Sequence, residues 1–215
     1  MTKKITMAVP KGRILEELIP LFKSAGIRPE QEFFNPDSRK LLFNTNLKKL
    51  LLIKVRSFDV ATFVAFGAAQ IGVAGNDVIS EFGYNEVYDI LDLKIGKCRL
   101  SIAKLKGKSF KKDELGHLVA ATKYKNIVTN FFAKKGIRAE CIKLNGSVEL
   151  APKLGICSTI IDLVSTGKTL KENNLEESEI IMKITSKLII NKIAFKLMNS
   201  DIRQILDKFK MVTNG

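Results

Sequence analysis

Residues 160–170, IIDLVSTGKTL, end in Gly167-Lys168-Thr169 behind a run of apolar, mostly β-branched residues. A nucleotide-binding P-loop ends in the same order, but it needs a first glycine five positions before the Gly-Lys pair. Asp162 stands there, and its carboxylate would face the phosphate oxygens the loop must welcome. The P-loop reading is excluded. A smaller motif remains: a strand ending near Ile160 and Ile161, a turn at Ser165-Thr166-Gly167, and a helix start over Thr169 to Glu172. Backbone N–H groups at such a turn bind an anion, and hydroxyls add donors. Asp162 can accept hydrogen bonds from sugar hydroxyls, so the stretch pairs a phosphate with a ribose. On these eleven residues alone the plainer alternative, a strand–turn–helix connection capped by Thr166, is preferred.

Other chemistry is sparse. His117 is the single histidine, and Cys98, Cys141 and Cys157 form no Cys-x-x-Cys pair. They read as reduced, mostly buried thiols, and this set cannot build a zinc site or a nucleophile–histidine dyad. No residues are assigned to a metal. The net charge of +14 draws polyanions, although only seven of the 36 basic residues are arginine. Basic residues are not interleaved with exposed aromatics and no docking motif appears, which argues against nucleic acid. Small anionic substrates are the better expectation. No apolar run spans a bilayer and the start, MTKKITMAVPKGR, lacks an apolar leader core. No membrane association and a cytoplasmic location are expected.

Strand and helix patterns alternate along the 215 residues, so the class is α/β. Strands are expected at 4–9, in two paired segments around a turn at 44–46, and at 70–75, 98–105, 117–122 and 138–144. A long strand pattern covers 179–191. Helices are expected at 12–26, 58–69, 76–83, 124–136, 147–155 and 199–210, with a Lys-rich loop at 104–112. The stretches GAAQIGVAGNDVI and GICSTIIDLVSTG echo each other about ninety residues apart, each running from a turn through a short buried strand into a polar loop. This weak repeat predicts two α/β lobes, 1–94 plus 178–215 and 95–177, with crossovers at 93–97 and 176–180. Each lobe would offer a strand-end loop to a shared cleft.

The segments AVPKGRILEE, GVAGNDV, LDLKIGKCRLSIA, ATKYKNIVTNFFAKKGI, LNGSVELAPKLG and IIDLVSTGKTLKENNL occur in this order. Together the chain resembles the ATP phosphoribosyltransferase family, which opens histidine biosynthesis. The resemblance implies a two-lobed fold like the type II periplasmic binding proteins. It implies transfer of phosphoribosyl from 5-phosphoribosyl 1-pyrophosphate to N1 of ATP, releasing pyrophosphate, with Mg²⁺ accompanying the substrates rather than held by a dedicated protein site. Ser165, Thr166, Gly167, Lys168 and Thr169 would then cradle the donor's 5-phosphate and Asp162 would face its ribose, with Glu149 a further polar contact. Arg13 and Arg39 match arginines placed near ATP and the leaving group and are the implied catalytic residues. Lys11 and Arg56 are further candidates for ATP and pyrophosphate, evenly balanced against a role as plain surface cations.

That chemistry suits the residue types. Adenine N1 carries a free lone pair, so no strong base is needed. Catalysis then rests on aligning two polyanions and stabilising departing pyrophosphate, by positioning and preorganised charge. A guanidinium pairs with phosphate oxygens through a planar fork. The chain departs from the family at Ala61, where a proline is usual, and at Gln70 and Ser158, where acids are common. These positions bear on lobe geometry, and Lys168 falls where residue type varies. Ending at Gly215, the chain is similar to the short form, which works with a separate regulatory subunit resembling histidyl-tRNA synthetase, as a dimer or hetero-octamer. Two rivals are weighed: a solute-binding protein of the same fold, and a basic nucleic-acid module whose binding would fall steeply with salt.

Overall fold

In the run ITMAVP apolar residues fall on both alternating faces, which suits a strand covered on two sides. It forms β1 (Ile5–Pro10). Ile5, Met7 and Val9 pack with Leu18 and Phe22 of α1 (Arg13–Ser24) and with Ile202, Leu206 and Phe209 of α7 (Asn199–Thr213). Ala8 packs on the other side with Val60 and Val64 of α2 (Val60–Ala65) and Val78 of α3 (Asn76–Phe82). The computed structural model describes residues 4–107 and 117–213. The chain falls into two compact units, Met1–Gly96 with Thr185–Gly215, and Lys97–Ile184.

The first unit holds β1 with β2 (Leu42–Asn44), β3 (Leu50–Val55), β4 (Ile71–Gly75), β5 (Val87–Asp92) and β11 (Ser186–Asn191), in the order β2-β3-β1-β4-β11-β5. β1 runs parallel to β3 and β4, while β2, β11 and β5 are antiparallel to their neighbours. The second unit holds β6 (Cys98–Leu105), β7 (Leu118–Thr122), β8 (Ala139–Lys143), β9 (Thr159–Val164) and β10 (Leu175–Ile184), in the order β10-β6-β9-β7-β8. Its helices are α4 (Lys125–Lys134) and α5 (Lys168–Glu172). β7 is parallel to β8 and β9, β6 antiparallel to β9, and β10 antiparallel to β6.

Leaving β2 aside, β3-β1-β4-β11-β5 and β8-β7-β9-β6-β10 are the same pattern strand for strand. The sequence echo therefore marks equivalent strands, β4 and β9, each leading to a short helix. Each unit's inner antiparallel strand arrives from the other unit, β6 after Gly96 and β11 after Ile184.

Several elements differ from the sequence expectation. The strand pattern over 179–191 is two strands in two sheets, because alternation reports a pleat and not its partner. The break at Thr185 is pinned within the first unit. Its N–H donates to Asn76 Oδ1 at 3.1 Å, its carbonyl accepts from Asn76 N at 3.0 Å, and its hydroxyl donates to Asp92 Oδ2 at 3.0 Å. The second unit runs to Ile184 rather than to 177, since β10 stays paired with β6 as far as Ile184. The helix expected at 147–155 is only a 3-10 turn, Val148–Leu150, because Pro152 has no N–H to continue it. The strand β5 and the helix α6 (Lys192–Leu197) are additions to the expected set. Of the Lys-rich loop at 104–112, residues 108–112 lie outside the described residues. Among the described residues no helix is long and apolar enough to cross a membrane.

Candidate active site

In the second unit β9 carries Ile160 and Ile161 into the core and ends at Val164, after which the chain turns through Ser165, Thr166 and Gly167 into α5. Gly167 sits at φ +76°, the left-handed region that favours glycine. The Lys168 N–H donates to the Thr166 hydroxyl at 3.4 Å, closing the turn locally. Val148, Val164 and Leu170 share one core cluster, and this packing fixes Glu149, on its 3-10 turn, beside the β9–α5 turn. The result is a cavity of about 260 Å³ lined by Glu149, Asp162, Ser165, Thr166, Gly167, Lys168 and Thr169, with Leu163 and three core aliphatic residues. All seven residues expected at the donor site line this one pocket.

Its electrostatics are uneven. Burial pushes the Asp162 carboxyl above the ordinary range. The Leu163 N–H opposes this, Glu149's charge adds to it, and Lys123 opposes it again. Asp162 Oδ1 accepts from Leu163 N at 2.8 Å. Lys168 extends outward, 3.8 Å from Glu172, with its side chain 81% exposed. It lines the rim while the turn's N–H and hydroxyl groups supply the donors.

In the first unit Lys11 and Arg13 flank Gly12 between β1 and α1. The Lys11 N–H donates to the Val55 carbonyl at 2.9 Å, so Lys11 and Arg56 leave the carboxyl ends of adjacent parallel strands. Arg39 precedes β2, and the Lys54 N–H donates to the Leu41 carbonyl at 3.1 Å, which brings Arg39 to the same end of the sheet. Open α/β sheets bind ligands at these strand ends. Arg13 is half-exposed, with Nε 3.6 Å from Glu17 Oε1 and Nη2 3.5 Å from the Gly96 carbonyl. Lys11 also lines a cavity of about 390 Å³ with Phe33, Phe34, Lys40 and Lys54, whereas Arg13, Arg39 and Arg56 do not line it.

Sequence reasoning missed two groups. Lys54 Nζ lies 4.6 Å from the Phe33 ring centre and 4.9 Å from that of Phe43, and burial, then Lys11's charge, lowers its pKa. Arg99 clasps Glu177 beneath the Ser165 carbonyl. Arg99 and Ser101 share a strand face by their two-residue spacing, which is legible, but their partner on β10 is not. Gln70, one of the departures, is architectural: its carbonyl accepts from Thr6 N at 2.8 Å and its amide donates to the Gly67 carbonyl at 3.1 Å.

Two α/β units of matching topology, each with polar residues at its parallel strand ends, define the type II binding-protein class of fold. The solved structure of Tv2483 bound to L-arginine superposes with a TM-score of 0.60 over 98% of this chain and 85% of that one; at 10% identity the likeness is one of fold. A family model described as ATP phosphoribosyltransferase matches residues 56–211. The ATP phosphoribosyltransferase of Rhodospirillum rubrum is 53% identical over 209 residues, covering 96% of this chain and 92% of that protein. The ATP phosphoribosyltransferase HisG:HisZ complex from Thermotoga maritima contains a chain 30% identical, with a TM-score of 0.83 over 98% of each. The chain belongs to the ATP phosphoribosyltransferase family. Its reaction joins the phosphoribosyl group of 5-phosphoribosyl 1-pyrophosphate to ATP in histidine biosynthesis, which retires the solute-binding and nucleic-acid readings.

Proposed function

We propose that the pocket on the β9–α5 turn is the phosphoribosyl pyrophosphate site of this transferase. The supporting observation is that one cavity gathers Glu149, Asp162 and the whole turn from Ser165 to Thr169. The turn's N–H groups and the Ser165, Thr166 and Thr169 hydroxyls hold the 5-phosphate. Asp162 accepts from the ribose hydroxyls, and Glu149 is its neighbour in the same task. Lys168 contributes through its backbone, its side chain being exposed. Arg13 and Arg39 are proposed as the catalytic cations, with Lys11 and Arg56 beside them for ATP and pyrophosphate. Their shared place at the strand ends of the first unit supports this. Positive charge there favours pyrophosphate as it departs, while N1 of adenine attacks the ribose carbon with its own lone pair.

Mg²⁺ is proposed to arrive on the substrates, whose diphosphate oxygens suit a hard cation that keeps several waters. When bound it supplies charge neutralisation between the two polyanions. A regulatory subunit resembling histidyl-tRNA synthetase is the proposed partner, in a hetero-octamer or around a catalytic dimer. The likeness to the chain in the Thermotoga maritima HisG:HisZ complex supports a partner of this kind. A cytoplasmic location follows from a biosynthetic role that uses ATP.

The test is product formation from ATP and phosphoribosyl pyrophosphate with Mg²⁺, with and without the regulatory subunit. Wild-type activity that collapses in an Asp162→Ala, Thr166→Ala variant supports the assignment. Full activity with an unchanged Michaelis constant for the donor in that variant would refute it.

A further inference from the structure

Among the described residues the β9–α5 turn is tied to the rest of its unit by one side-chain contact. Arg99 on β6 donates from Nη1 to the Ser165 carbonyl at 3.1 Å, while Nε and Nη2 donate to the two carboxylate oxygens of Glu177 on β10 at 2.6 Å each. The fully buried Ser101 donates its hydroxyl to the same carboxylate at 2.6 Å. Among the described residues no other hydrogen bond reaches residues 165–167 from outside 162–172. Thr166 and Gly167 form a wall common to the donor pocket and a second cavity of about 620 Å³, and Arg99 and Glu177 line that second cavity.

A trans peptide points its carbonyl and its N–H in opposite directions. Drawing the Ser165 carbonyl toward Arg99 therefore turns the Thr166 N–H away from Arg99 and the cavity it lines. Among the described residues neither the Thr166 nor the Gly167 N–H meets an acceptor. The ion pair is not needed to join the strands, since β6 and β10 already pair from Cys98 to Leu105. All three guanidinium nitrogens are engaged, a geometry that a single ammonium centre cannot reproduce.

We propose that Arg99, held in place by Glu177, is a positioning residue for the phosphoribosyl donor: it fixes the Ser165–Thr166 peptide with its N–H toward the 5-phosphate. This rests on the assignment of the donor site to the β9–α5 turn. Arg99 acts through the backbone from behind the turn and does not touch the donor.

The test is steady-state kinetics of the catalytic chain with its regulatory subunit, varying each substrate in turn, for Arg99→Gln, Arg99→Lys, Glu177→Gln and the benchmark Asp162→Ala. Arg99→Gln and Glu177→Gln each raise the donor KM by about tenfold, the size of one charge-assisted hydrogen bond, and leave the ATP KM unchanged. Arg99→Lys falls between wild type and Arg99→Gln. Should Arg99→Gln unfold the chain, Glu177→Gln and Arg99→Lys decide the matter. A donor KM unchanged in the Arg99 and Glu177 variants but raised in Asp162→Ala overturns the role of Arg99 and leaves the site assignment standing. An unchanged donor KM in Asp162→Ala as well overturns both.

Discussion

Replacing Gly167 by alanine separates the turn's role in binding from its role in folding. A Cβ on Gly167 would lie 3.9 Å from Val164 Cγ1, an ordinary contact, so the penalty comes from the backbone at φ +76°. Holding an L-residue in the left-handed region costs roughly 1–2 kcal/mol. The less flexible unfolded chain returns about 0.4–1 kcal/mol, leaving a net loss of about 1 kcal/mol and a melting midpoint lower by about 2–4 °C. Gly136, just past α4, is the matched control. It has φ +69°, and a Cβ added there would meet nothing within 4 Å. The Gly136 and Ile137 N–H groups close the helix on the Ala133 and Phe132 carbonyls. Gly136→Ala should lose the same stability. The variants part in kinetics: strain at Gly167 is relieved by leaving the binding conformation, which lowers the competent fraction and raises the donor KM by up to about fivefold. Thermal melts and donor titrations on both variants are the assay. Equal stability losses with an unchanged donor KM in both would show that the left-handed turn serves the fold alone, and the reasoning would fail.

Asn191→Ala should be the costliest polar change in the first unit. Its side chain caps α6 by accepting from Ala194 N at 2.9 Å and donates to the Val64 and Ala65 carbonyls at 2.9 and 3.1 Å. Losing the cap and the Asn191 donor to the Ala65 carbonyl should cost about 2–4 kcal/mol by denaturant titration, while the Val64 carbonyl keeps its bond from Gly67 N at 3.1 Å. Asp162→Asn should raise the melting midpoint at pH 7 while abolishing donor binding. Burial lifts this carboxyl above its ordinary 3.8, so the folded state holds its proton more tightly than the unfolded chain does. The penalty is full above the raised value and fades as pH falls through it toward 3.8; a melt-versus-pH series on both forms checks the sign. Asp92 has the opposite sign. Burial alone would raise it, but hydrogen bonds from the Lys94 N–H, Lys187 and Thr185 outweigh this and hold it below 3.8. Its stabilisation is present above 3.8 and is lost as pH falls through the lowered value, so Asp92→Asn should flatten the acid limb of the stability curve.

Local pattern carried the fold a long way because each unit is built from short βα steps. β1, β4 and β9 are compact apolar runs closed by Pro10, Asn76 and the Ser165–Gly167 turn, signals contained within a few residues. Alternation failed at 179–191 because β10 and β11 have the same pleat and different sheets. Nothing within that segment announces that Thr185 is bound to Asn76 and Asp92, some ninety or more residues earlier in the chain. The edge strand β5 was hidden for a related reason: Tyr88, Asp89 and Ile90 are all exposed, so the face-to-face contrast that marks a strand is weak.

The same asymmetry governs the site. Residues that touch a ligand at a strand end sit in contiguous strings, and the turn from Asp162 to Thr169 can be read from those strings alone as an anion cradle or an ordinary connection. The choice depends on groups that are remote in sequence. Glu149 enters the pocket because Val148 packs into the core shared by Val164 and Leu170. Arg99 donates to the Ser165 carbonyl from 66 residues away, and its guanidinium is held by Glu177, 78 positions from Arg99. A free chain of residues 160–170 would lack both constraints and could turn either face of the Ser165–Thr166 peptide to an anion. On the proposed assignment, what makes the string a donor site is the sheet behind it, in which β6 lies between β9 and β10 and can hold an acid on one side and a carbonyl on the other.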